Sequence, residues 1–144
     1  MTNTPDKIVY TASATSTGGR EGRAVSAEPD MDLKLDAPKA TGGAGNGTNP
    51  EQLFAMGYGA CFNGALGLAA KETGLDVDGS QVRVNVGFGP EGESFAVTAD
   101  IEVFVPGADV AQVQKAADRA HELCPYSKAT RGNVPVTVKA VDAL

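Results

Sequence analysis

Two thiols, Cys61 and Cys124, are the only cysteines in this chain, and they stand 63 positions apart. A cysteine acts as nucleophile, redox partner or metal ligand through its thiolate. The spacing excludes a Cys-x-x-Cys redox motif and a local metal-ligand pair. The single histidine, His121, supplies neither a metal cluster nor a Cys–His pair that spacing would support. It reads as an exposed or partly exposed residue of a helix. Two readings stay open for the cysteines: thiols that react with one another, or small residues that fill space. Cys61 lies within an apolar, glycine-rich stretch, where a free cysteine is commonly a buried filler. Cys124 precedes Pro125, Tyr126 and Ser127, at a point where a helix must end and the chain can move.

A free thiol with a pKa of about 8.5 is mostly protonated at neutral pH, so a reactive one needs a nearby cation or a helix dipole. The middle of a helix offers little dipole. Arg20, Arg23, Arg83, Arg119 and Arg131 are the candidate cations. Arg20 follows Gly18 and Gly19, and a turn without Cβ atoms lets its side chain reach inward. A solvated turn arginine is the competing reading. Glu51 falls in the first turn of the cysteine-bearing helix, a place that suits any carboxylate. The residue types and spacing supply candidates here, not an assignment.

The elements that must carry these residues follow from periodicity. Residues 8–14 read as a first strand, 17–22 as a glycine turn, 23–26 as the returning strand, and 33–35 as a short third strand. A glycine-rich loop over 41–48 lacks the Lys-Ser/Thr that a phosphate-binding loop needs. Asn49 then suits a helix N-cap, Pro50 the first helical position, and Gln52 a capping box. That helix runs to Lys71 or Glu72, with Gly74 beyond its end. Its apolar residues point nearly all round, which predicts a central helix buried on most sides. Gly57, Gly59, Gly64 and Gly67 each cost about 1 kcal/mol of helix propensity relative to Ala. Close approach of another backbone is the expected compensation.

Val82, Val84, Val86 and Phe88 alternate with polar residues, and Phe95 through Val105 alternate again after a turn at 89–93, so a hairpin is predicted. Asp109 caps a helix bearing Val110, Val113, Ala116, Ala117, Ala120 and Leu123, which stops before Pro125. Val134–Ala140 forms the last strand. The order β-β-β-α-β-β-α-β with hairpin-length turns predicts an α+β domain with an antiparallel sheet. A chain of 144 residues fits one domain, spanning 1–144. A net charge of −6 argues against nucleic acid and anionic membranes as partners. The polar N-terminus has no apolar signal-peptide core, and 53–70 is too interrupted for a membrane span, so a cytoplasmic location is expected.

Three segments carry a resemblance: YTASATSTGGREGRA at 10–24, GGAGNGTNPEQLFAMGYGACFNGAL at 42–66, and ELCPYSKATRGNVPV at 122–136. In this order they resemble the organic hydroperoxide resistance branch of the OsmC/Ohr family. The resemblance implies a thiol peroxidase acting on organic hydroperoxides, with Cys61 the attacking thiolate and Cys124 its resolving partner. It also implies Arg20 as the thiolate-stabilising arginine and Glu51 as the carboxylate that orients it. No cofactor or metal is implied. The implied reductant is a dithiol, such as a lipoyl-bearing protein, and the implied assembly is an intertwined homodimer. Met56, Gly59, Glu21 and Lys128 depart from residues common in similar proteins, and Met56 and Gly59 among them touch pocket shape and substrate preference. A redox sensor or ligand-binding protein on the same fold is the alternative.

Glu51 and Cys61 are ten positions apart, or about 15 Å along an unbroken helix. Either the helix breaks near Gly57–Gly59, or Arg20 and Glu51 serve Cys61 of a partner subunit, the version preferred here.

Overall fold

The computed structural model describes residues 2–144, with elements in the order β-β-β-α-β-β-α-α-β. The chain forms two compact units, one up to Leu53 and one from Phe54 to Leu144.

In the first unit, β1 (Thr15–Thr17), β2 (Arg23–Ala27) and β3 (Asp30–Lys34) make an antiparallel sheet in sequence order. The strand expected over 8–14 is not one; pairing begins only at Thr15, opposite Val25. The register explains the shift. Ala27 already pairs with Asp30 around the next turn, so the ladder runs out before residue 13 and leaves Ile8, Val9 and Tyr10 exposed. Beyond β3, Leu35 bridges to Thr48 and the glycine-rich loop folds back on the strand end.

Helix α1 (Pro50–Thr73) starts in the first unit and runs unbroken through Gly57 and Gly59 into the second, so the expected alternative of a helix break does not occur. Asn49 caps it, its Oδ1 accepting from the Gln52 N–H at 2.8 Å. The capping box is not closed as expected, because the Gln52 side chain accepts from the Thr48 hydroxyl at 2.7 Å instead. By length and composition α1 could cross a membrane, yet Tyr58, Phe62, Leu66 and Ala69 are fully buried in the protein core.

The second unit adds β4 (Gln81–Glu91), β5 (Ser94–Phe104), α2 (Val110–Leu123), α3 (Pro125–Thr130) and β6 (Val136–Ala140). Strands β4 and β5 form the expected hairpin, paired from Gln81↔Phe104 to Glu91↔Ser94. Strand β6, however, lies parallel to β5, with Ala99 opposite Val136 and Val103 opposite Ala140. The sheet of this unit is therefore mixed and not antiparallel throughout. Two helices between β5 and β6 return the chain to the same end of the sheet, and such a crossover produces a parallel pair.

Asp109 caps α2, accepting from Ala111 N–H at 2.7 Å, and α2 stops at Leu123 as expected. Helix α3 is additional to the sequence expectation. Proline ends the preceding helix, but its fixed φ also suits the first position of a new one. The core gathers Tyr58, Phe62 and Leu66 of α1, Ile101 and Val103 of β5, Val113 and Ala117 of α2, and Cys124. The burial of α1 is less complete than expected: Met56, Ala60, Gly64 and Leu68, four residues apart in turn, form an exposed stripe.

Candidate active site

In the first unit the site residues are Arg20 and Glu51. The turn between β1 and β2 is a single 3-10 turn, Gly19–Glu21, entered through Gly18 at φ +73°. A side chain at Gly22 would overlap the Thr17 carbonyl, so the turn closes only because that residue has no Cβ. The Gly22 carbonyl accepts from Leu35 N–H at 2.8 Å, which ties the turn to the end of β3. The loop leading into α1 is tied to the same place. Thr48 N–H donates to the Lys34 carbonyl, Asp36 N–H donates to the Thr48 carbonyl, each at 2.9 Å, and Asn46 N–H donates to Asp36 Oδ2 at 2.8 Å.

One strand end thus positions both the Arg20 turn and the first turn of α1. Arg20 and Glu51 meet in a two-pronged ion pair, Nη1 to Oε2 at 2.9 Å and Nη2 to Oε1 at 2.7 Å. The arginine hydrogen bonds hold the Glu51 carboxyl below its ordinary 4.5 against the opposing effect of burial. Glu51 in turn holds Arg20 charged. A carboxylate clamped on one guanidinium edge fixes the direction of that cation.

In the second unit the sequence-predicted thiols come together. Cys124 Sγ lies 3.6 Å from Cys61 Sγ, and both cysteines are free. A disulfide requires about 2.05 Å between sulfurs, so closure needs a shift of about 1.5 Å. Cys61, on α1, is half-buried, whereas Cys124, between α2 and α3, is fully buried. Burial pushes the Cys61 thiol up from its ordinary value, the backbone N–H of Tyr126 draws it down, and the Cys124 thiol pushes it up again. Four of the other candidate arginines have partners of their own: Arg23 with Asp32, Arg83 with Glu102, Arg119 with Glu72 and Glu122, and Arg131 with the His121 carbonyl.

Three aromatic rings cluster in the same unit. Phe54, Tyr58 and Tyr126 pack with ring centroids 5.6 to 6.3 Å apart. The space of an absent Cβ at Gly57 is taken by Tyr126, whose hydroxyl would lie 3.1 Å away. A ring, not a backbone, therefore accounts for this glycine. Gly59 faces Val82 and Val84 at ordinary contact distance, while Gly64 and Gly67 face nothing within 4 Å.

Sequence reasoning missed the buried polar groups beside Cys124. Tyr58 hydroxyl bonds Ser127 Oγ at 2.9 Å and Thr130 Oγ1 at 3.2 Å, and His121 Nδ1 bonds Ser127 Oγ at 2.7 Å. Ser127 and Thr130 are three residues apart, a helical spacing that was visible once Pro125 is read as a helix start. His121 is partly buried, as one of its two expected readings had it. Among the described residues no group of three or more His, Cys, Asp or Glu side chains could hold a metal.

Residues 43–139 match the family model described as OsmC-like protein. An organic hydroperoxide resistance protein of Xanthomonas axonopodis pv. citri is 50% identical over 136 residues, covering 93% of this chain and 96% of that protein. The crystal structure of the organic hydroperoxide resistance protein OhrB of Bacillus subtilis superimposes with a TM-score of 0.84 at 39% identity, over 93% of this chain and 100% of that one. The organic hydroperoxide resistance protein structure from Legionella pneumophila gives 0.87 at 34% identity, over 95% and 100%. This chain belongs to the OsmC/Ohr family, in its organic hydroperoxide resistance branch.

Proposed function

We propose that this chain is a thiol peroxidase that reduces organic hydroperoxides, alkyl and fatty-acid types among them, to alcohols. The observation that carries the reading is the pair of free thiols 3.6 Å apart, one half-buried and one fully buried, among apolar and aromatic side chains. The Cys61 thiolate attacks the distal peroxide oxygen, the O–O bond breaks, and the departing alkoxide takes a proton to leave as alcohol. Sulfur has lost two electrons and become a sulfenic acid. The Cys124 thiol then attacks the Cys61 sulfur, its proton leaves with the sulfenic hydroxyl as water, and a Cys61–Cys124 disulfide remains. An external dithiol, such as a lipoyl group on a partner protein, reduces that disulfide and becomes a cyclic disulfide itself. Apolar surroundings favour carbon-rich peroxides over hydrogen peroxide by the transfer free energy of their hydrocarbon.

Arg20, directed by Glu51, is the cation assigned to stabilise the thiolate and polarise the O–O bond. It does so across an intertwined homodimer, on Cys61 of a second copy. Two features support this version. Helix α1 is unbroken, so its rise alone separates Glu51 from Cys61 by about 15 Å along the axis. The Met56–Ala60–Gly64–Leu68 stripe also offers a small-residue, apolar face for a second α1. A compartment that keeps thiols reduced, the cytoplasm, suits a pair of this kind.

The alternative, a redox sensor or ligand-binding protein without efficient turnover, draws on one observation: burial pushes the Cys61 thiol up within the chain. Stopped-flow mixing with cumene hydroperoxide separates the two. Turnover predicts rapid loss of two thiols with one alcohol released, abolished in Cys61→Ser. Cys124→Ser should release one alcohol and then over-oxidise. Equal, slow rates with cumene hydroperoxide and hydrogen peroxide would refute the peroxidase.

A further inference from the structure

The polar groups beside Cys124 take no part in the reaction just described, yet their hydrogen atoms can be counted. Four hydrogen bonds link them: His121 Nδ1 with Ser127 Oγ at 2.7 Å, Ser127 Oγ with Tyr58 Oη at 2.9 Å, Tyr58 Oη with Thr130 Oγ1 at 3.2 Å, and Thr130 Oγ1 with the Ser127 carbonyl at 3.1 Å. Each bond needs one hydrogen, and three hydroxyls supply three. The carbonyl can only accept, so Thr130 spends its hydrogen there. Tyr58 must then donate to Thr130, and Ser127 to Tyr58. The fourth hydrogen has one remaining source, an N–H on His121 Nδ1.

The placement of the chain gives it a task. His121 is in the last turn of α2, Ser127 and Thr130 are on α3, and Tyr58 is on α1. Cys124 is the one residue between α2 and α3, its N–H donating to Ala120 and its carbonyl accepting from Lys128. Arg131 Nη2 adds a second tie across the same corner, donating to the His121 carbonyl at 2.6 Å. Tyr58, Ser127 and Thr130 are buried, so no exchange with bulk water replaces a lost partner cheaply.

We infer that His121, Ser127, Tyr58 and Thr130 form a one-way hydrogen-bond chain, begun by the Nδ1–H of His121, that positions the Cys124 thiol against Cys61. The inference rests on the reading of the two cysteines as a redox couple. His121, Ser127, Tyr58 and Thr130 act through Cys124 and are positioning residues. Burial and Arg131 hold His121 below its ordinary 6.5, while Asp118 and Glu122 pull the other way, so near pH 8 the ring is neutral. Protonation at lower pH adds a hydrogen at Nε2 and leaves the Nδ1–H in place, so the chain survives it.

Because His121 is the only histidine, its ring nitrogens are unambiguous in a long-range 15N–1H NMR spectrum of the full chain at pH 8. The expected form is hydrogen on Nδ1 and a bare Nε2; the opposite tautomer overturns the inference. The positioning role is read from the rate of disulfide closure driven by diamide, which needs no peroxide. Ser127→Ala and His121→Phe should close about tenfold more slowly, the effect of leaving a buried group unpaired. His121→Asn, whose amide N–H can replace Nδ1–H, should close near the wild-type rate. Unchanged closure in Ser127→Ala and His121→Phe, or closure in His121→Asn as slow as in His121→Phe, overturns the role. If the wild type released no alcohol from cumene hydroperoxide, the peroxidase reading would fall, while the tautomer and the diamide rates would still decide this one.

Discussion

Substituting Gly64 tests the proposed pairing of two α1 helices through the sign of its effect. Beyond the neighbouring backbone of α1 itself, nothing lies within 4 Å of where a Cβ at Gly64 would stand, and the same is true of Gly67. If this face meets only water, Gly64→Ala removes a helix-weakening residue and stabilises the chain by about 1 kcal/mol. If a second α1 packs there, the added methyl pushes the helices apart. Met56 and Leu68 are each 56% exposed on that stripe, and burying what remains of one such side chain is worth about 1 kcal/mol. Over two copies these residues alone stake about 4 kcal/mol on close contact. The expected result is therefore a loss. Gly64→Ala should lower Tm, and Gly64→Leu should weaken self-association by about tenfold or more, the equivalent of 1.4 kcal/mol. Sedimentation equilibrium at several concentrations reads the association, and thermal denaturation at the same concentrations reads the stability. A Gly64→Ala chain that is more stable, with association unaltered, would refute the reasoning.

Two further outcomes follow from the ion pair and its turn. Glu51 titrates below its ordinary 4.5 in the folded chain, so the pair with Arg20 contributes stability above about pH 4.5, and that contribution fades as pH falls through the lower folded value. With Arg20 nearly half exposed the contribution is about 0.5–1 kcal/mol, and the Tm difference between wild type and Glu51→Gln should shrink toward zero in acid. Gly22→Ala forces a methyl into the Thr17 carbonyl and should open the Arg20 turn. If the proposal holds, alkylation of Cys61 in a Cys124→Ser background should then require higher pH, and the same is expected of Arg20→Ala; an unchanged alkylation profile would detach the turn from the thiol.

Much of this molecule was legible from periodicity. The alternation of Phe95 to Val105 appears as β5, with Ala99, Ile101 and Val103 buried, because a strand has two faces and the apolar one is marked residue by residue. The caps at Asn49 and Asp109 were equally local, each a side-chain oxygen beside orphan N–H groups. Helix α1 was legible as a helix, but the face it buries was not, since its apolar residues surround it and carry no directional signal. The short α3 was missed because Pro125 announces an ending and a beginning with the same ring.

Residue types and order by themselves determined that the chain holds two thiols, a turn arginine and a helix-start carboxylate, because those depend on local spacing. Folding decided what they touch. The 63-residue gap between Cys61 and Cys124 closes to 3.6 Å because α1 and the corner between α2 and α3 pack into one core. The Arg20–Glu51 clasp, 31 residues apart, exists because both turns hang from the end of β3. Contacts between distant segments depend on register, crossover and packing, quantities that no short window of sequence contains.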